Sequence, residues 1–431
     1  MVTGKNNAIC FVSDLHISGF RALDELPIIF EFKELLRKLI SKGNYELVIL
    51  GDFLELLKSD FNLYLESDLF YLELLNLLKE LSIKTDVTYV LGNHDKNVIH
   101  KKEILYILKK YKINIAKNPF AYEKTININD KKIIIFGEHG NQYDPLSKYK
   151  DIYDPKELGI GDYYVKNAIG NIVSLKHKSW VNDVDKITPI SSVPSFIASN
   201  FFYKETSRLF KLVTIPFTFN LLFAKIIPLL LLYLFFFQGL KLSEQSLAVF
   251  TIIAILILID FSFFIYGAVI IIFRKDFKRF MGKFGFWDKF EILKVIEGKK
   301  FTLKEDIIKG KTNSLGNSPD FYFYGHTHQA KIDGYYKSTF CVNTGQFSKG
   351  YAMVKSRIGF PAIYVPYSFC SYAIFKIIES KENQKVQIKL VTRKKPIKTK
   401  LTWFQRVSIL ESIKVLRKLK EDKIEIKNID L

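Results

Sequence analysis

The sequence predicts an α/β fold of layered sheets that is interrupted by two long apolar segments. Short β-rich runs alternate with segments of helical periodicity through the first part of the chain. Polar motifs rich in Asp, Asn and His follow five of the β-rich runs. Two apolar runs, each longer than twenty residues, separate the fourth of these motifs from the fifth. Together these observations indicate one α/β domain with a membrane-length insertion.

The elements alternate in the order expected for parallel strands joined by helices. The first strand is predicted at Ala8 to Val12, and the first helix at Ile28 to Ser41, before Gly43. Further helices are predicted at Leu63 to Leu81 and Lys102 to Tyr111. The remaining strands are predicted at Leu47 to Leu50, Val87 to Leu91, Ile113 to Ala116, Lys132 to Phe136, Phe321 to Tyr324, Phe340 to Asn343, Tyr372 to Ile378 and Val386 to Val391.

Composition and charge indicate the kind of partner and the cellular setting of the protein. The chain has 431 residues and a formal net charge of +20, which implies an anionic partner, either nucleic acid or an acidic membrane surface. Its three cysteines lie far apart without a CxxC pair, so we expect reduced thiols and a cytosolic setting. The first eight residues are polar, and no cleaved export signal is expected.

The apolar runs predict a membrane hairpin at 201–280, with spans of about 212–238 and 247–273. Each run contains one charged residue, Lys225 in the first and Asp260 in the second. Either is long enough to cross a hydrocarbon core of ~30 Å as a helix. Two prolines interrupt the first run, which could be a kinked or re-entrant helix. A pair of buried helices in a large soluble domain is the alternative.

Basic residues flank the outer ends of the hairpin. They are Lys204, Arg208 and Lys211 before the first run, and Arg274, Lys275, Lys278, Arg279 and Lys283 after the second. The connecting loop carries only Lys241 and Glu244. The positive-inside rule therefore predicts an integral membrane protein whose outer ends, with everything attached to them, lie on the cytoplasmic side.

The five polar motifs point to metal chemistry. They are Asp14-Leu15-His16, Gly51-Asp52, Gly92-Asn93-His94-Asp95, His139-Gly140 and Gly325-His326-Thr327-His328. Taken singly, a Gly-Asp pair is typical of a turn, and Gly-Asn-His-Asp of an Asx-turn with a helix cap. In α/β sheets, however, sites form where loops converge at the carboxyl ends of strands. Seven nitrogen and oxygen donors at such ends indicate a two-metal hydrolytic centre.

The ordered set of motifs resembles the five-block signature of the calcineurin-like metallophosphoesterases, with Asn343-Thr344-Gly345 after the last block. The resemblance covers about residues 8–150 and 310–392. It implies a four-layer αββα sandwich, here with the transmembrane hairpin inserted, and a pair of divalent ions. The donor types suit Mn²⁺, Zn²⁺ or Fe, and we favour Mn²⁺.

The resemblance also implies a role for each residue. One ion would be held by Asp14, His16, Asp52 and His328, and the other by Asp52, Asn93, His139 and His326. Asp52 would then bridge the ions. His94 would be a catalytic proton donor or a stabiliser of charge at the leaving oxygen, with Asp95 orienting its ring.

The predicted domain order is a first metallophosphoesterase part at 1–200, the hairpin at 201–280, a second part at 281–392 and a basic tail at 393–431. The segment from Leu158 to Phe210 could form a cap over the metal edge or a simple helical connection. In the tail, five basic residues between Arg393 and Lys400 precede a predicted helix at 403–420. A polybasic arm on anionic lipid is the favoured interpretation, followed by a solvated tail and then by nucleic-acid binding.

The favoured function is a membrane-embedded, metal-dependent phosphohydrolase acting on a lipid-linked or membrane-proximal phosphoester or pyrophosphate. The chain is similar to lipid-precursor pyrophosphatases of the superfamily, but it has His94 where that group has Arg. A tethered hydrolase of soluble nucleotides, cyclic nucleotides or phosphoproteins is the alternative, and a non-catalytic scaffold is a third. The expected partners are a bilayer with anionic head groups and a phosphorylated substrate, and a homo-oligomer is compatible with the sequence.

Overall fold

The computed structural model describes residues 8–18, 26–57, 68–128, 131–164, 192–205, 319–356, 361–379, 384–397 and 420–430, with single positions at 66, 183, 187, 401, 402, 405 and 406. Both predicted membrane spans, 212–238 and 247–273, lie outside these ranges. Within them, no helix combines the length and apolar character that a membrane crossing requires.

The elements confirm the alternation predicted from the sequence. The part before the insertion contains β1 (Ala8–Val12), α1 (Leu26–Lys42), β2 (Tyr45–Leu50), α2 (Leu69–Lys84), β3 (Val87–Val90), α3 (Lys102–Lys110), β4 (Asn114–Ile115), β5 (Ala121–Ile128), β6 (Lys131–Glu138), α4 (Ile160–Tyr164) and α5 (Val193–Asn200), which a π-helical turn, Phe201–Glu205, continues. The part after it contains β7 (Phe321–Tyr324), β8 (Lys331–Tyr336), β9 (Thr339–Asn343), β10 (Phe347–Val354), β11 (Ile363–Glu379), β12 (Gln384–Pro396) and β13 (Glu421–Asp430).

Two mixed sheets are built from both parts of the chain. The first has the order β13-β12-β11-β1-β2-β3-β4, with β10 paired to β11, and the second has the order β5-β6-β7-β9-β8. Strands β1 to β4 are parallel. Strands β6 and β7 are parallel neighbours, with Ile135 opposite Phe321. The two parts are therefore joined directly across the insertion.

An apolar core lies between the sheets, and helices cover the outer face of the first sheet. Phe11 of β1 and Phe323 of β7 stack with ring centroids 4.0 Å apart. On the outer face, α1 buries residues spaced three and four apart, among them Phe32, Leu36 and Leu39. Burial of each such side chain stabilises the fold by about 1.5–3 kcal/mol. The predicted fourth layer, helices on the outer face of the second sheet, is not seen in the part of the chain that the structure describes.

Both described ends of the segment predicted as a basic tail belong to the first sheet. Strand β12 continues to Pro396, and β13 pairs along it with Lys394 opposite Glu421. Arg393 and Lys395 approach Glu31 of α1, and Lys394 lies 3.4 Å from Glu421. Three of the five clustered basic residues therefore have acidic neighbours, while Lys398 and Lys400 lie outside the described residues, and the lipid-binding arm stays a prediction. Most of the predicted helix at 403–420 lies outside the described residues.

All three cysteines are buried, and we predict that they are inert in the folded protein. Burial raises the pKa of the Cys10 and Cys370 thiols well above the usual value, which suppresses the reactive thiolate. An aromatic disulfide reagent should label about three thiols per chain in denaturant and fewer than about one without it. Rapid labelling of the native chain would contradict this packing.

Candidate metal centre

The predicted ligands lie together at one edge of the two sheets. Parallel strands β1, β2 and β3 of the first sheet and β6 and β7 of the second end at this edge. A loop follows each of the five strands and carries the polar motif found in the sequence. The convergence expected from the strand ends is therefore present.

A first group of donors surrounds the carboxylate of Asp14. Nε2 of His328 lies 3.1 Å from Oδ1 of Asp14, and Nε2 of His16 lies 3.9 Å from the same oxygen. Nε2 of His16 is also 3.7 Å from Oδ2 of Asp52. Asp14, His16 and His328 offer ligand atoms that all lie within 4.8 Å of one another. The resemblance implies that these three residues hold one ion together with Asp52, which lies at the border of the group.

A second group surrounds the other face of Asp52. Nε2 of His139 lies 3.1 Å from Oδ2 of Asp52 and 3.0 Å from Oδ1 of Asn93. The opposite nitrogen, Nδ1, faces the carbonyl of Leu50 at 3.0 Å, which directs Nε2 toward the carboxylate. His326 lies beside this group, with its ring centroid 5.1 Å from that of His139. Asp14, Asp52 and His139 converge within 4.8 Å, but His326 does not join them at that distance in the described residues.

The residues fit divalent cations. Oδ1 of Asp14 and Nε2 of His16 are buried and form no hydrogen bond of normal geometry, although Nε2 of His328 lies 3.1 Å from the Asp14 oxygen. A buried polar atom without a partner costs roughly 1–3 kcal/mol, or more when it is charged. A cation between these atoms would remove that cost. The mixture of carboxylate, amide and imidazole donors suits Mn²⁺, Zn²⁺ or Fe, and the arrangement does not choose among them.

Backbone strain is concentrated in the same residues. Five candidate ligands have left-handed φ angles: Asp14 (55°), His16 (49°), Asp52 (53°), His326 (63°) and His328 (59°). Each such angle costs a residue other than glycine roughly 1–3 kcal/mol. Backbone hydrogen bonds between the loops stabilise these angles. In one of them the N–H of His16 donates to the Asp52 carbonyl at 2.8 Å. Strain of this kind is typical of residues whose side chains are held in position for a function.

Glycines in the motifs allow the loops to approach each other closely. A Cβ atom on Gly92 would lie 2.3 Å from Oδ1 of Asp52, and one on Gly325 would lie 2.6 Å from Oδ2 of Asp14. Any other residue at these positions would therefore displace a ligand.

Charge interactions keep both aspartates ionised. Burial alone would raise the pKa of Asp14, but the charges of His139 and His328 outweigh it and lower the pKa to about 2. Burial likewise opposes ionisation of Asp52, yet His139 and His94 hold its pKa well below the usual range. The ionised carboxylate is the state that binds a cation.

His94 lies beside the centre, and Glu55 holds its ring. The ring centroids of His94 and His16 are 4.5 Å apart, and the backbone N–H of His94 donates to Oδ1 of Asp52 at 2.9 Å. Nδ1 of His94 lies 2.9 Å from Oε1 of Glu55. Glu55 was missed in the sequence, although it follows Asp52 by only three residues.

The carboxylate of Asp95, to which the resemblance gives the role of orienting His94, has other partners in the described residues. Oδ1 of Asp95 accepts from the Gly92 amide at 2.6 Å, and Oδ2 accepts from the Phe53 amide at 2.8 Å and from the Tyr89 hydroxyl. Burial and the charge of Asp52 raise the pKa of Asp95 to about 6. Asp95 therefore fixes the loops that carry the ligands, and it does not contact the ring of the preceding residue in these bonds.

We predict that Glu55→Gln lowers turnover by about 10- to 100-fold while the metal content stays at the wild-type level. A neutral amide cannot stabilise a positively charged His94 ring as a carboxylate does. Steady-state kinetics and elemental analysis of the same sample test this, with exposed Glu103→Gln as the control. Because Glu55 acts through His94, adding Glu55→Gln to His94→Asn should cost little more, and fully additive losses would contradict the assignment.

Comparison with known families agrees with this geometry. Residues 8–213 match the family model described as Calcineurin-like phosphoesterase. This stretch carries the motifs from Asp14 to His139, and the structure adds His326 and His328 from beyond it. No curated protein matches the chain. The chain therefore contains a calcineurin-like phosphoesterase domain, and it is a metal-dependent phosphoesterase, a hydrolase of phosphoester bonds.

Proposed function

We propose that the protein is a membrane-embedded, dinuclear metal-dependent phosphohydrolase that cleaves a phosphoester or pyrophosphate bond of a lipid-linked or membrane-proximal substrate. The hydrolytic part of the proposal rests above all on the convergence of donors from five loops around buried atoms of Asp14 and His16 that form no hydrogen bond of normal geometry. A cation between these atoms would supply the partner that each lacks.

Each residue of the centre has a proposed task. Asp14, His16, Asp52 and His328 hold one ion, and Asp52, Asn93, His139 and His326 hold the other. When bound, the two ions activate a water for attack on phosphorus and neutralise the charge of the phosphate oxygens. His94, oriented by Glu55, donates a proton to the leaving oxygen or stabilises its charge.

The placement of residues 192–205 supports a site near the membrane. The β10–β11 hairpin begins at the metal edge, where the Phe347 amide donates to the Asp14 carbonyl at 3.1 Å. From there the hairpin projects outward beyond the metal edge as far as the pair Val354 and Ile363, a rise of roughly 24 Å. Helix α5 packs on this hairpin, with the Phe196 ring 5.1 Å from that of Tyr351. The chain therefore approaches its apolar runs from the metal side of the molecule.

The membrane part of the proposal combines this placement with the sequence. The first apolar run, 212–238, begins twelve residues after α5 ends at Asn200, the second, 247–273, follows it, and basic residues flank the outer ends of the pair. We propose that they form a hairpin in the bilayer, with the catalytic domain on the cytoplasmic side and its metal edge facing the lipid head groups. Mn²⁺ is the proposed metal, and Zn²⁺ or Fe would fit the same donors.

A substrate panel tests the proposal. The purified full chain, in detergent micelles with Mn²⁺, is assayed against lipid phosphates, lipid pyrophosphates and water-soluble nucleotides, with His94→Asn as the negative control. We expect kcat/KM to be at least about tenfold higher for a lipid-linked substrate, because the micelle surface, in place of the bilayer, presents it to the metal edge. Preference for soluble nucleotides would contradict a lipid-linked substrate and favour a membrane-tethered hydrolase of soluble substrates.

A further inference from the structure

Residues 140–164, which follow β6, are fixed over the second group of ligands. Buried Lys96, in the loop after β3, donates through Nζ to the carbonyl of Asp154 at 2.8 Å and to that of Glu157. The same ammonium lies 4.1 Å from the ring centroid of Tyr149. The segment and the loop that carries Asn93 are therefore held together as one unit.

Asp162 in this segment orients the amide of Asn93. Its Oδ1 accepts from Nδ2 of Asn93 at 2.8 Å, and its Oδ2 accepts from the Tyr149 hydroxyl. Because Nδ2 is held by Asp162, Oδ1 of Asn93 faces the other way, toward Nε2 of His139 at 3.0 Å. The amide oxygen is the atom that binds a cation, so this bond selects the useful orientation. Asp162 is only 2% exposed, and it is buried where an unpaired carboxylate would be costly.

Asp144 in the same segment orients the ring of His326. Its Oδ2 lies 2.8 Å from Nε2 of His326, and its Oδ1 accepts from the Leu146 amide at 2.9 Å. An imidazole that donates Nε2–H to a carboxylate presents an unprotonated Nδ1 on its other side. Carboxylates that hold ligand imidazoles in this way raise their basicity and fix their tautomer.

We propose that Asp162 and Asp144 are positioning residues that set the affinity of the second ion, the one assigned to Asp52, Asn93, His139 and His326. This inference rests on the proposed dinuclear centre. Both carboxylates act on neutral ligands, Asn93 and His326, whose ligand atoms depend on amide or ring orientation. Removing either carboxylate should lower the affinity for the second ion by about 10- to 100-fold and leave the affinity for the first ion nearly unchanged.

Mn²⁺ titration calorimetry of the metal-depleted full chain in detergent measures both ions. We expect two sites in the wild type, and in Asp162→Ala one site weakened by about 10- to 100-fold. Asp162→Asn should recover part of the loss, because its amide oxygen can still accept from Asn93. Asp151→Ala is the matched control, since exposed Asp151 lies in the same segment and accepts from the Tyr153 amide.

A double variant separates positioning from general stability. Adding Asp162→Ala to Asn93→Ala should not weaken the second site beyond Asn93→Ala alone, because the effect passes through Asn93. Additive losses, or two unchanged sites in Asp162→Ala and Asp144→Ala, would overturn the inference and leave the dinuclear centre standing. Fewer than two sites in the wild type would overturn both. If Asp162→Ala does not fold, Asp144→Ala carries the same test: a weakened second site supports the inference, and two unchanged sites overturn it.

Discussion

His94→Asn should lower kcat by about 10²- to 10⁴-fold, the range expected for loss of a positioned proton donor. The ring of His94 lies next to that of His16, and Glu55 holds its Nδ1. The side chain thus lies beside both proposed ligand sets without belonging to either. Asparagine keeps a polar group of similar reach but cannot transfer a proton near neutral pH.

Metal content decides between the two possible roles of His94. His16, Glu55 and His94 also offer atoms within 4.8 Å of one another, so a ligand role for His94 is geometrically open. Our assignment predicts wild-type metal content in His94→Asn, measured by elemental analysis alongside the kinetics. If metal is lost in proportion to activity, His94 is a ligand. His100→Asn is the control, because His100 is an exposed histidine nearby.

Asp52→Asn should have the largest effect on metal binding. Its Oδ2 lies 3.1 Å from Nε2 of His139 and 3.7 Å from Nε2 of His16, so this carboxylate borders both ligand groups. An amide has one oxygen donor and no charge, and it cannot bridge two cations as a carboxylate does. We expect affinity to fall by more than about 100-fold, beyond the loss typical of a residue that only supports a ligand.

Thermal unfolding provides the measurement for Asp52. Ligand at 100 times its Kd stabilises the folded state by about 2.7 kcal/mol, so Mn²⁺ should raise the Tm of the wild type by several degrees. Asp52→Asn should lose most of that rise and nearly all activity. Asp86→Asn, an exposed aspartate after α2, should keep both. A full Mn²⁺-induced rise in Asp52→Asn would show that Asp52 does not bridge the ions.

The sequence predicts the parts of this site that depend on strand ends. Asp14, Asp52 and His139 each follow a buried apolar run, and parallel strands bring such positions to one edge without further information. Glu55, Asp144 and Asp162 could not be assigned in this way. Their roles arise from contacts between loops that are far apart in the sequence, as with Asn93 and Asp162.

Two differences between prediction and structure have physical causes as well. Asp95 follows His94 directly, but the turn sends its carboxylate to the amides of Gly92 and Phe53. Strand β13 was missed because it lies at the edge of a sheet, and most of its side chains, including Ile424 and Ile426, are exposed. Without a buried face, its alternation of apolar and charged residues is also typical of a solvated segment.

The most direct test of the dinuclear phosphohydrolase is metal depletion and reconstitution of the full chain in detergent. The chain is stripped with a chelator, titrated with Mn²⁺, and assayed for phosphoester hydrolysis at each step, with bound metal counted by elemental analysis. We predict that activity disappears on stripping and returns as occupancy approaches two Mn²⁺ per chain. Hydrolysis that survives complete stripping, or that is full with a single ion, would contradict the proposed centre.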